Sequence, residues 1–272
     1  MQLHVVTSVY KDEKELPKLF KELEVFNEIR AHYRKPPVLT KVFIYMKNDS
    51  FKKGDFAIAQ KTDSMVVYNI PNYGRCDYAF LHYMAYHYSE HADRTLFIKT
   101  HWKTHDINLR DLLGQRLPYD FAFSGTHRKW QLWDRSQEGL IYDFKDEIEP
   151  LYLEAGERMN HPMLHYNDLY KEIFPTGPRP SIIPHWGHGP CFIVSRRLLL
   201  RWPKEMYLGL MEKFHHGPDS PLVQKIIHWQ PSFTYEEAMF ALAKNYHEIF
   251  DRFWKVFFTH QLPPMDNLII EN

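Results

Sequence analysis

The chain has 272 residues, 44% of them hydrophobic and 16% aromatic, which is ample for a sizeable buried core and excludes a disordered polymer. Lys+Arg 34 balance Asp+Glu 34, so no net field draws the protein to nucleic acid or to an anionic membrane, and an anion site has to come from local clustering. No apolar run approaches the ~18 residues of a conventional membrane span, and the two cysteines, Cys76 and Cys191, read as reduced thiols of a soluble, cytoplasmic protein.

The N-terminal MQLHVVTSVYKDEKE has too few consecutive apolar residues for a signal peptide, and Leu3 to Val9 reads as a first strand. Leu16, Leu19, Phe20, Leu23 and Phe26 recur at helical spacing until Lys35-Pro36-Pro37 breaks the pattern. Lys41 to Met46 and Met65 to Tyr68 follow as strands, short and apolar as buried parallel strands are. The turn Pro71-Asn72-Tyr73-Gly74 opens a helix over Cys76 to Tyr88, and Thr95 to Ile98 gives a fourth strand. Lys99, Thr100, His101 and Trp102 continue from that strand's C-terminal end, the edge at which open α/β sheets bind ligands. Asp120 to Ser124 reads as a fifth strand, and the aromatic, mixed-charge stretch from Arg128 to Pro180 as loops and helices lining a cleft.

Farther on come a strand at Cys191 to Val194, a helix beginning near Ser195, a helix from Thr234 (TYEEAMFALAKN) and an aromatic segment, Ile249 to Phe258, that packs back on the core. Strands alternating with helices predict one α/β, Rossmann-like domain with a mostly parallel central sheet flanked by helices.

Three segments in this order carry a family resemblance. Pro71-Asn72-Tyr73-Gly74-Arg75-Cys76-Asp77 resembles the P-N-x-G-R-(D/E) stretch of GT-A-like glycan-assembling proteins, among them a family of domains of unknown function from fungi, algae and large algal viruses. Trp186-Gly187-His188-Gly189-Pro190-Cys191-Phe192-Ile193-Val194-Ser195-Arg196 matches that family's W-x-x-G-x-x-F-x-V-S-R segment, and Phe250-Asp251-Arg252-Phe253-Trp254 its L-E-R-L-W-like ending. Cys76 departs from the pattern, since relatives carry an acidic residue directly after the Arg. The resemblance implies a GT-A-like fold, with residues 1–125 as a nucleotide-sugar-binding half and 126–272 as an acceptor-binding half. It also implies a glycosyltransferase, hexosyl or pentosyl, that moves a sugar from a nucleotide-diphosphate-sugar to a saccharide acceptor. In a viral setting its place is the host cytoplasm.

Such transfer needs the departing phosphates stabilised and, with inversion, a base for the acceptor hydroxyl. GT-A proteins hold the phosphates through a cation on an Asp-x-Asp pair, and this chain has no D-x-D. Lys99 and His101 stand at the expected place and Arg75 at a helix start, so the expectation is metal-independent chemistry with no required cofactor. Asp12 and Asp49, after the first and second strands, and Asp77 complete the expected donor set. Glu237, with Glu236 beside it, resembles the acidic helix start that supplies the base in metal-independent inverting enzymes, although Thr234-x-x-Glu237 is also a capping box. Trp102, His185, Trp186 and His188 are expected to line the sugar or acceptor pocket. A UDP-sugar is the default donor, and a pentose such as xylose is compatible. Two rivals stand beside this reading: a zinc-dependent hydrolase built on His101-x-x-x-His105 and His185-x-x-His188, and an inactive glycan- or nucleotide-binding module.

Overall fold

Gln2–Val9 (β1) alternates its side chains between two apolar layers, and that alternation organises the molecule. The computed structural model describes residues 1–52, 54–100 and 191–215, together with 102, 109–115, 120–123, 131–133, 141–144, 148–150, 182–183, 218–220, 223–224, 227–228, 231–239, 250, 254 and 257–258. After β1, helix α1 (Leu16–His32) leads to β2 (Leu39–Asn48), β3 (Ala57–Lys61) and β4 (Met65–Pro71). Helix α2 (Arg75–Tyr86) leads to β5 (Arg94–Lys99), followed by α3 (Leu109–Gln115) and β6 (Phe121–Phe123). Short strands β7 (Gln131–Trp133), β8 (Ile141–Phe144), β9 (Ile148–Pro150) and β10 (Ile182–Ile183) precede β11 (Phe192–Ser195), α4 (Arg196–Leu199) and α5 (Lys204–Glu212). None of the described helices is long and apolar enough to cross a membrane.

Seven strands form one sheet in the order β3-β4-β2-β1-β5-β11-β6. The ladders β4·β2, β2·β1 and β1·β5 are parallel, whereas β3·β4, β5·β11 and β11·β6 are antiparallel. The sheet is therefore mixed, not mostly parallel: a parallel centre with antiparallel margins. β3 was invisible to periodicity because all five of its residues are exposed on the sheet edge, so burial imprints no alternation on it. The stretch expected to hold loops and helices contains β7, β8 and β9, which with β10 form a second, antiparallel sheet of order β10-β7-β8-β9. Because β11 lies between β5 and β6, the main sheet draws strands from both sides of residue 125.

The two faces of the sheet are covered by different helices. Leu3, Val5, Val9, Ile44 and Ile98 pack with Leu19, Leu23 and Phe26 of α1 and Leu112 of α3. Val6, Phe43, Tyr68 and Phe97 pack on the other side with α2, α5 and the aromatics Phe250, Trp254, Phe257 and Phe258. Handedness explains the split. The β1→β2 crossover steps one way across the sheet and the crossover from β4 to β5 steps the other, so right-handed connections place α1 and α2 on opposite faces. At the far end Ser195 caps α4, its Oγ accepting from Leu198 N at 3.3 Å.

The layer beneath α2 is unusually polar. His4 Nδ1 lies 2.6 Å from the Tyr83 hydroxyl, His87 Nε2 2.9 Å from that of Tyr68, and His82 Nδ1 3.3 Å from that of Tyr45. Burial pulls His4 down to about 4 and both His82 and His91 down to about 3. It lowers His87 as well, against the upward pull of Glu90. These rings stay neutral in the folded protein at pH values where the unfolded chain, titrating near 6.5, binds protons. Their contribution is complete above pH ~6.5 and is lost as pH falls toward the folded-state values. The expected outcome is a urea-unfolding midpoint that drops steadily from pH 7 to pH 4. His82→Phe should remove up to about 1.4 kcal/mol per pH unit from that dependence, and equal slopes for the two proteins would count against the buried-histidine account.

Candidate functional site

The strand order reverses between β1 and β5, since β1, β2 and β4 progress to one side while β5 lies on the other. A crevice opens at such a switch point, outside the carboxyl ends of the strands. The residues leaving those ends are polar and bonded to one another. Tyr10 N donates to Asp12 Oδ1 at 2.8 Å, and the Thr100 hydroxyl donates to Asp12 Oδ2, joining the exits of β1 and β5 across the reversal. Lys11 takes a left-handed backbone with φ 59°, which turns the chain sharply between these partners.

Asp49, directly after β2, ties three strand exits together. Its Oδ2 accepts from the Tyr10 hydroxyl at 2.9 Å and lies 3.8 Å from Lys11 Nζ, and its Oδ1 accepts from Asn72 Nδ2 at 2.8 Å. The Asn72 bond first, then that of Tyr10, holds the Asp49 carboxyl below the usual carboxylate range. Asp49 is thus an exposed anion in a fixed orientation. Lys47 Nζ reaches the Tyr73 carbonyl at 3.4 Å and steadies the turn that follows β4.

That turn ends at Gly74, the N-cap of α2, with φ 54°. A Cβ at this position would overlap the Phe214 ring, so both the backbone conformation and the packing require glycine. Following β4 directly, the start of α2 lies at the same end of the sheet as Asp49 and Thr100 and brings the positive end of its helix dipole there. The Arg75 side chain lies outside the described residues, as do His101, His185, Trp186 and His188.

Lys99 closes β5 half-buried, and its charge opposes the strong upward push that burial gives the neighbouring Cys191 thiol. Cys191 and Cys76 are both buried, and no disulfide joins them. Asp77 is fully buried, and its Oδ1 accepts from Trp254 Nε1 at 2.8 Å, which fastens the C-terminal aromatic segment to α2. Trp102 packs with Leu109, Leu112 and Leu113 in the α1-side core. As placed, neither Asp77 nor Trp102 presents a solvent-open surface to a ligand, because each side chain completes a core. Glu236 and Glu237 are exposed at a helix start, and Glu237 forms the reciprocal box with Thr234: Thr234 N donates to Glu237 Oε2 at 2.7 Å, and Glu237 N to Thr234 Oγ1 at 3.2 Å. The adjacent Tyr235 interacts electrostatically with Tyr73, so this helix start lies near the turn that precedes α2.

The structure therefore brings together Asp12, Asp49, Lys99 and the start of α2 at one edge, and adds Tyr10, Lys11, Asn72 and Thr100, which sequence reasoning did not select as site residues. The available signal was positional: each follows within three residues of a strand that periodicity identifies. Among the described residues no three His, Cys, Asp or Glu side chains converge as metal ligands. The sequence matches no model of a known protein family and no curated protein.

Substitutions at two positions test the packing at the start of α2. Gly74→Ala is expected to cost at least about 2 kcal/mol in urea unfolding, from strain plus overlap. Asp77→Leu leaves the Trp254 indole N–H without its acceptor and should cost about 1–3 kcal/mol, whereas Asp77→Asn, which keeps a carbonyl oxygen, should lose less than half of that. Equal losses for Leu and Asn would mean that the Trp254 bond carries no stability.

Proposed function

We propose that this protein is a glycosyltransferase that takes its sugar from a nucleotide-diphosphate donor, by default a UDP-sugar, and passes it with inversion to a saccharide acceptor. One observation carries the reading: at the switch point, polar side chains from the exits of β1, β2, β4 and β5 are fixed by mutual hydrogen bonds beside a half-buried lysine and a helix N-terminus. Rigid acceptors such as Asp12 and Asp49 suit the hydroxyls of a ribose or sugar. Lys99, with His101 two residues on and Arg75 at the start of α2, supplies positive charge for a departing pyrophosphate. The ordered P-N-x-G-R and W-x-x-G-x-x-F-x-V-S-R resemblances point to the same chemistry, and the mixed α/β sheet accommodates a GT-A-like arrangement.

Glu237 is the base in this reading. To act, its carboxylate turns away from the Thr234 amide, giving up a hydrogen bond of about 1 kcal/mol net. That bond is also the observation favouring the second reading, a module that binds the donor without turning it over.

Thermal denaturation with UDP-, GDP- and dTDP-sugars, each with and without manganese, tests donor binding, because a ligand specific to the native state raises the transition. A rise with at least one nucleotide-sugar is expected, and the absence of any shift across the panel defeats the proposal. Lys99→Ala should reduce kcat/KM by at least about tenfold. Glu237→Gln keeps the capping box but removes the base, so turnover should fall about a hundredfold or more at unchanged melting temperature. A wild-type turnover rate in Glu237→Gln assigns the residue to capping alone.

A further inference from the structure

The opposite end of the sheet has a different surface. Helix α1 returns the chain to the N-terminal ends of the parallel strands, so its last turn, the start of β2 and the start of β1 meet there, with Leu39 N donating to Met1 O at 3.2 Å. The row continues across the sheet: Gln2 N donates to Asp93 Oδ2 at 2.8 Å, and Arg196 N to Asp93 O at 3.2 Å. From β2 to β11 this pole spans three strand spacings, roughly 14 Å.

Two kinds of side chain stand out on it. Ile29, Tyr33 and Leu39, where α1 ends and β2 begins, are 42%, 68% and 66% exposed, and Leu200, after α4, is 37% exposed, large apolar side chains that a solvated surface does not require. Interspersed are Arg30, Arg34 and Lys35 at the end of α1, and Arg196, Arg197 and Arg201 in and after α4. Arg197 pairs with Asp120, and Arg30 donates to the Pro36 carbonyl. Arg34, Lys35, Arg196 and Arg201 make no ion pair among the described residues. Partial burial, and then repulsion from Arg197, lowers the Arg201 guanidinium, so like charges face one another here without full neutralisation. Acidic groups around this pole include Asp93 and Asp120, Asp63 in the turn before β4, Glu28 on α1, Glu90 after α2 and Glu205 at the start of α5. In a chain whose formal charges sum to zero, this is positive charge segregated to one pole.

The geometry points to a docking surface for an anionic lipid bilayer. Unpaired arginines and a lysine meet acidic headgroups, Tyr33 suits the interfacial zone, and Ile29, Leu39 and Leu200 enter the acyl boundary. A nucleic acid satisfies the cations but leaves these aliphatic side chains with nothing to contact, and that decides between the two polyanions. The inference does not depend on the proposed activity. It fixes an orientation: β2 has 10 residues at about 3.3 Å each, so the edge bearing Asp12 and Asp49 stands roughly 30 Å from the lipid and faces the solvent.

Co-sedimentation of the full chain with vesicles of phosphatidylcholine alone, or mixed with phosphatidylserine, tests this. Binding to the mixed vesicles should exceed binding to the neutral ones at least tenfold at ~0.1 M salt and weaken at ~0.5 M. Arg34→Glu with Lys35→Glu should weaken it at least about tenfold, from roughly fivefold for each cation removed. Tyr33→Ser with Leu39→Ser should weaken it at both salt concentrations, and melting temperatures near that of the wild type show that both variants fold. No binding by the wild type, equal binding to both vesicle types, unchanged binding by folded variants, or tighter binding to duplex DNA than to the anionic vesicles each overturns the proposal.

Discussion

Strand β1 is paired in parallel on both sides, with β2 and with β5, and the architecture follows from that constraint. A parallel neighbour cannot be reached by a tight turn, so the chain must leave the sheet and return along one of its faces. The departures to β2 and to β5 run in opposite directions, which forces their crossovers onto opposite faces and buries the sheet on both sides. The residues of β1 accordingly alternate between two apolar layers, Val5 with α1 and Val6 with α2. The same reversal opens the crevice that Asp12 and Thr100 bridge, so the candidate site is a product of the topology that makes the core.

The two poles of the parallel strands differ for a related reason. At the carboxyl ends the chain turns immediately into loops whose side chains bond one another, as Asp49 does with Tyr10 and Asn72, and these bonds leave the groups fixed but open to solvent. At the amino ends the chain arrives from helix C-termini, where basic residues complement the helix dipole. Arg30 and His32 in the last turn of α1 follow that rule, whereas Arg196 and Arg197 open α4 directly after its Ser195 N-cap and place positive charge against the dipole there. A balanced composition thus leaves cations enriched at the amino-end pole, while the carboxyl-end edge carries Asp12 and Asp49 together with Lys11, Lys47 and Lys99. Between them lies the histidine and tyrosine layer under α2, where each hydroxyl–imidazole contact offsets part of the cost of burying both partners.

The sequence by itself determined the elements buried as short apolar runs or at helical spacing: β1, β2, β4, β5 and β11, the helices α1 and α2, and the packing of Phe250, Trp254 and Phe258 on the core. It also placed Asp12 and Asp49 at strand exits, because chain order alone puts a residue after a strand, and it foresaw the Thr234–Glu237 box, because capping is a contact three residues long. Strand β3 escaped because nothing buries it, and the antiparallel entry of β11 beside β5 escaped because direction is set by pairing across 100 or so residues, to which local spacing is blind. Asp77 lies in a motif that reads as ligand-binding, yet its partner is Trp254, 177 positions away. Only the tertiary structure decides whether a carboxylate meets an indole in the core or a ligand at the edge, since local sequence sets propensity and period while burial and partnership belong to the packed chain.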